Sequence, residues 1–146
     1  MITATKPKVG RGGKVVLALA GASMSPGLIV QIVQQGLDVS ELAALRDALD
    51  LPIEQVAAKV GMSKATFHRR QQEGKLTPDE SDKVVRFARL AGRATAIFGS
   101  ETAARQWLGA PQRGLGGTVP LNYAETEAGA REVENLLGRI EYGVYS

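Results

Sequence analysis

The stretch LPIEQVAAKVGMSKATFHRRQQE, residues 51–73, has the pattern of two short helices joined by a tight turn. Ile53, Val56 and Val60 give the first helix an apolar face, and Ala57 is small enough for a close helix crossing. Gly61 falls at the turn, where glycine adopts a left-handed backbone at little cost. The pattern predicts a helix-turn-helix, which presents its second helix to the major groove of DNA.

The second helix of this motif is polar and cationic on its outer side. We expect Ser63 to cap it, and Phe67 and the aliphatic part of Arg70 to face inward. Arg and Lys can pair with guanine or phosphate, and hydroxyl and amide groups can contact either. The predicted DNA-contacting residues are Ser63, Lys64, Thr66, His68, Arg69 and Arg70, with Gln72 at the edge. The alternative is an ordinary helical hairpin with a solvated cationic face.

Charge is distributed in blocks along the chain, whose formal net charge is +3. Residues 59–93 hold nine cations and four acids, and residues 1–14 hold four cations and no acid. Residues 37–54 hold five acids and one arginine, and residues 94–146 hold six acids and four cations. A basic block beside acidic segments is typical of a DNA-binding module joined to a second part.

Composition argues against catalytic and metal-binding classes. The chain has no cysteine, which excludes disulfides, thiolate metal sites and a cysteine nucleophile. His68 is the only histidine, so the sequence favours neither a histidine zinc site nor a Ser-His-Asp triad. The acids of the C-terminal third show no spacing that demands paired-carboxylate catalysis. We therefore expect no catalytic residue, no cofactor and no metal.

The N-terminus permits two interpretations. Basic residues precede the apolar run VVLALAGA, residues 15–22, which resembles a short secretory signal. The favoured interpretation is a flexible basic arm and short apolar segment over residues 1–24, because the rest of the chain is typical of an intracellular DNA binder. No stretch is long enough to span a bilayer, and a cytoplasmic location is expected.

Capping signals and apolar periodicity predict a mainly α protein. Hydroxyl residues placed to start helices are Ser25, Ser40, Thr77, Ser100 and Thr126. Glycines placed to end helices are Gly36, Gly74, Gly99 and Gly138. The segment GAPQRGLGGTVP, residues 109–120, predicts a loop with defined turns.

The C-terminal third resembles the toxin-binding domain of the Xre/MbcA/ParS antitoxin family. The elements that carry the resemblance are FG at 98–99, WL at 107–108, Pro111, LGG at 115–117, PL at 120–121, and LLGRIEYG at 136–143. With the helix-turn-helix, the resemblance extends back to about residue 26. Two features depart from it: Thr118-Val119 stands where a basic residue is often expected, and residues 1–22 have no counterpart.

The resemblance implies an antitoxin that neutralises a RES-domain toxin, an enzyme that degrades NAD⁺, and that represses its own operon. It also implies that the C-terminal end closes the toxin's active-site cleft. The implied toxin-binding residues are Arg139, Glu141, Tyr142, Val144, Tyr145 and Ser146. Residues 25–93 would bind operator DNA as a homodimer, because one helix-turn-helix reads few base pairs, and residues 94–146 would bind toxin.

Two alternatives to this interpretation stay open on the sequence. The chain could be a plain helix-turn-helix repressor whose C-terminal domain only dimerises. Ile140, Tyr142 and Val144 could alternate like a strand that packs on the chain's own core. Trp107 is interpreted as a core residue that anchors the last helix rather than as a toxin contact.

Overall fold

The computed structural model describes residues 15, 16, 18 and 24–143. Within the described residues 24–143, eight α-helices follow one another. They are α1 (Pro26–Gln35), α2 (Glu41–Leu49), α3 (Ile53–Lys59), α4 (Lys64–Glu73), α5 (Pro78–Phe98), α6 (Glu101–Leu108), α7 (Pro120–Tyr123) and α8 (Glu127–Glu141). The mainly α prediction is confirmed.

Most helix starts follow the capping signals in the sequence. Thr77 forms a capping box with Glu80, in which each side chain accepts a hydrogen bond from the other residue's backbone N–H, and Pro78 occupies the first turn. Ser40 is an exception, because its side chain makes no cap bond and its hydroxyl instead contacts Asp38. Asp38 also accepts a hydrogen bond from the backbone N–H of Ser40 at 2.9 Å, so the acid organises this turn.

The last helix is longer than its sequence predicts. We expected Gly138 to end it at about Leu137, but α8 continues to Glu141. Leu136 and Leu137 are fully buried, and Ile140 packs against the same core. Burial of these side chains offsets the roughly 1 kcal/mol that a mid-helix glycine costs.

One hydrophobic core runs through the chain, and α5 lies at its centre. This helix packs against α1, α2, α6 and α8, and Phe87 at its middle is completely buried. The boundary predicted between residues 93 and 94 falls inside α5. The part predicted to bind DNA and the C-terminal part therefore share a helix and a core.

The apolar N-terminal segment contributes to this core. Val15 and Val16 are helical and buried, and their backbone N–H groups each donate a hydrogen bond of 3.1 Å to the carboxylate of Glu41. Val15 and Val16 belong to the short apolar segment expected after the basic arm, and the arm itself, residues 1–14, lies outside the described part. No helix in that part is long and apolar enough to cross a membrane.

The glycine-rich segment is a compact loop. It contains a 3₁₀ turn, Arg113–Leu115, and an antiparallel bridge between Gln112 and Thr118. The side chain of Gln112 donates to the carbonyl oxygens of Trp107 and Ala110, which ties the loop to the end of α6. The loop therefore has the defined turns that its composition predicts.

Candidate DNA-binding and partner-binding surfaces

The turn between α3 and α4 has helix-turn-helix geometry. Gly61 has φ +87°, and the N–H of Met62 donates to the carbonyl of Ala57 at 2.9 Å. Val56, Ala57 and Val60 are buried. The predicted packing face of α3 and its glycine turn are thus both present.

The second helix of the motif, α4, has no buried residue. Lys64, His68 and Arg69 are exposed, so these side chains are accessible to a ligand. Ser63 accepts a hydrogen bond from the N–H of Thr66 at 3.1 Å and pairs with its hydroxyl at 3.0 Å, so both residues shape the helix start. The structure brings these five predicted residues together along one helix.

Arg70 is placed differently from the other predicted DNA contacts. Its side chain is only 12% exposed and its Nε donates to Glu80 at 2.8 Å, with a second ion pair to Glu73. The bond to Glu80 raises the pKa of the Arg70 guanidinium. Burial by itself would raise the pKa of Glu80, but hydrogen bonds from Arg70 and Thr77 outweigh it and lower that pKa. Arg70 therefore holds α4 to α5 instead of facing outward.

Lys59 forms a link between the two parts that the sequence analysis missed. Its Nζ donates to Asn122 at 2.8 Å and to Glu125 at 3.0 Å, and its side chain is 11% exposed. Arg86 makes a parallel link by donating to the carbonyl of Glu125 at 3.0 Å. Two cations of the basic block thus bind the C-terminal part and are withdrawn from the exposed surface.

The C-terminal surface gathers at the end of α8. Tyr142 is 77% exposed, and Arg139 lies beside it at a shallow cleft of about 470 Å³. Glu141 pairs with Arg93 of α5 at 3.4 Å, and Arg93 also lines this cleft. Three of the predicted toxin-binding residues are therefore close together, with an aromatic ring and cations facing solvent.

The other three predicted toxin-binding residues, Val144, Tyr145 and Ser146, lie outside the described residues. Ile140 is helical, so the described part of the tail does not have the strand-like alternation considered as an alternative. Trp107 is partly buried, with its ring centroid 5.5 Å from that of Phe98. This placement agrees with the interpretation of Trp107 as a core residue.

Two family models match the chain, and they divide it at α5. Residues 29–89 match the antitoxin Xre-like helix-turn-helix domain. Residues 93–143 match the antitoxin Xre/MbcA/ParS C-terminal toxin-binding domain. The first match contains α3 and α4, and the second contains the cleft at the end of α8.

Curated relatives resemble the chain over most of its length. A protein named Antitoxin Xre from Yersinia enterocolitica is 33% identical over 121 residues, which is 82% of this chain and 82% of the relative. Another from Photorhabdus laumondii is 35% identical over 117 residues, 79% of each chain. A third, from Pseudomonas putida, is 35% identical over 75 residues, 51% of this chain and 47% of the relative.

Proposed function

Because the chain belongs to the Xre/MbcA/ParS antitoxin family, we propose that it neutralises a RES-domain, NAD-degrading toxin and represses its own operon. In this proposal the C-terminal end of the chain occludes the toxin's active site, and α4 reads operator DNA in a homodimer. The chain contributes no catalytic step of its own. Arg70 is left out of the DNA contacts because Glu80 and Glu73 hold it.

The observation that carries the toxin-binding proposal is the surface at the end of α8, inside the segment that matches a toxin-binding domain. Tyr142 exposes an aromatic ring that gains much by burial and a hydroxyl that can be paired. Arg139 and Arg93 beside it could meet the acidic or phosphate-bearing groups of a nucleotide-handling cleft. A burial-prone ring flanked by cations is typical of the few residues that dominate an interface.

Truncation after Gly143 tests the occlusion step. Glu141 pairs with Arg93, so a cut that keeps residues up to 143 leaves the described fold intact. We expect the truncated chain to fold normally but to lose rescue of growth when it is co-expressed with the RES-domain toxin. Tyr142→Ala in the full chain should weaken toxin binding by about 2 kcal/mol, roughly thirty-fold, measured by calorimetry.

Tyr123→Ala is the matched control for Tyr142→Ala. Tyr123 is also an exposed tyrosine of the C-terminal part, but it lies at the end of α7 and not at the cleft. The Tyr123→Ala variant should bind toxin like the unmodified chain.

Two outcomes would refute parts of the proposal. Full neutralisation by the truncated chain would refute occlusion by the tail, and failure of the full chain to bind any RES-domain toxin would refute the choice of partner.

Arg69→Ala tests the DNA-binding component. The side chain of Arg69 is 58% exposed, and its only ion pair among the described residues is a weak one with Glu73 at 4.0 Å. If Arg69 reads a base, its loss should weaken operator binding by about 1–3 kcal/mol in a mobility-shift titration. Arg131→Ala is the control, because Arg131 is 69% exposed and has a similar i,i+4 pair with Glu127 on α8. Equal binding by both variants would remove Arg69 from the recognition surface.

A further inference from the structure

Helix α1 is apolar but little buried. Its sequence is PGLIVQIVQQ, and none of its ten residues is buried. Ile29, Ile32 and Val33 pack partly against the core, whereas Val30 on one flank is 54% exposed and Leu28 on the other is 45% exposed. A helix that is apolar beyond one stripe is normally covered on more than one side. Within the described part of the chain, the Val30 flank stays uncovered.

A groove of about 760 Å³ runs along the Val30 flank of α1. Val30 and Val33 line it from α1, Val85 and Ala96 line it from α5, and Met24 lines it from the residues before α1. Leu28 does not line it. The groove therefore offers apolar surface that continues from an exposed helix flank onto the central helix.

Charges of both signs border this groove. Asp82 and Glu134 supply two carboxylates, and Arg89 and Arg93 supply two guanidinium groups. Arg93 pairs with Glu141, but within residues 24–143 no ion pair or side-chain hydrogen bond engages Asp82, Arg89 or Glu134. A ligand of one charge sign would leave half of this border unmatched. A two-fold symmetric copy brings the same patch opposite itself and can place Asp82 of each copy against Arg89 of the other.

We propose that a second copy of this chain docks in this groove, with Val30 of each copy at the interface. The inference rests on the proposed function, in which two helix-turn-helix motifs act together, and it locates the surface that pairs them. Seven of the thirteen lining residues, from α1 and α5, lie within the segment that matches the helix-turn-helix domain. Helix α4 contributes no lining residue, so pairing here leaves both DNA-facing helices free.

The test is sedimentation of the full chain, without DNA or toxin, across a concentration series. We expect the unmodified chain to sediment with twice the 15.5 kDa monomer mass. Val30→Asp should raise the dimer dissociation constant at least about thirty-fold, because a carboxylate would be buried at the apolar centre. Leu28→Asp is the matched control: it makes the same kind of change on the same helix, outside the groove, and should remain dimeric.

Charge exchange provides a second, independent measurement. Asp82→Arg alone and Arg89→Glu alone should each weaken association, and the double variant should restore it because both copies then carry the exchanged pair. Circular dichroism checks that each variant folds, which we expect since both residues are exposed. A double variant weaker than both single variants would overturn the two-fold pairing.

Other results would also overturn the proposal. These are an unmodified chain that stays monomeric, a Val30→Asp chain as dimeric as the unmodified one, or Leu28→Asp and Val30→Asp chains that dissociate equally. If Val30→Asp abolished toxin binding while the dimer persisted, the toxin would be the occupant of the groove. The proposed function has a separate readout: a dimer that depends on Val30 but binds no operator would refute repression and leave the interface intact.

Discussion

Replacing Gly129 with alanine is expected to destabilise the protein by about 3–4 kcal/mol, which would lower its melting temperature by roughly 10 °C. Gly129 lies in the first turn of α8, where its N–H donates to the hydroxyl of Thr126 at 3.0 Å. An added Cβ would be 1.7 Å from the carbonyl oxygen of Tyr123 and 2.8 Å from its carbonyl carbon. Backbone atoms cannot turn aside as a side chain can, so α7 and α8 would have to separate.

Gly138→Ala is the matched control on the same helix. An added Cβ there would be 3.2 Å from the guanidinium end of Arg93, a flexible side chain that can move. Alanine is also a better helix former than glycine by roughly 1 kcal/mol. We expect an unchanged or slightly higher melting temperature by calorimetry. Equal melting temperatures for the two variants would contradict the close approach of α7 to α8.

The clash expected in the Gly129→Ala variant would also affect both candidate surfaces, the helix-turn-helix and the toxin-binding part. Asn122 and Glu125, on either side of the backbone that Gly129 contacts, bind Lys59 at the end of α3. Separation of α7 from α8 would therefore disturb a contact of the helix-turn-helix as well as the toxin-binding part. A change far from α4 in sequence can reach the helix-turn-helix through this pair of hydrogen bonds.

Features that depend on neighbouring residues could be predicted from the sequence. The turn at Gly61, the cap at Ser63 and the capping box at Thr77 each need only residues within a few positions, and all three are present. The outward set on α4 follows from helical periodicity once the buried face of α3 is known. Local rules of this kind specify short helices and their ends.

Features that depend on distant residues could not be predicted in the same way. Arg70 is turned inward by Glu80, which belongs to the next helix, and Lys59 is bound by residues 63 and 66 positions away. Val30 lies off the i, i+4 apolar stripe of α1, so helical periodicity alone does not mark it as an interface residue. The sequence does carry a signal for it, since the apolar residues of α1 extend beyond one stripe.

Phe87→Ala should cost about 3–5 kcal/mol of the free energy of unfolding, a large part of the 5–15 kcal/mol typical of a domain. Phe87 is completely buried at the middle of α5, the helix within which the two family matches meet. Because α5 packs against helices of both parts, we expect both to lose stability together. Chemical denaturation followed by far-UV circular dichroism and by the fluorescence of Trp107, beside Phe98, should give one shared midpoint.

Tyr142→Ala is the control for Phe87→Ala. It removes an aromatic ring that is 77% exposed, so it should change the free energy of unfolding by less than about 0.5 kcal/mol. Phe87→Ala could instead displace the denaturation midpoint of the circular dichroism signal alone and leave that of the fluorescence signal unchanged. Two separate midpoints of this kind would mean that the parts unfold independently.

A shared midpoint has a consequence for the antitoxin. If the parts unfold as one unit, a toxin that binds the folded C-terminal part stabilises the helix-turn-helix by the same free energy. Toxin binding would then raise the folded, DNA-binding fraction of the chain without any contact to α4.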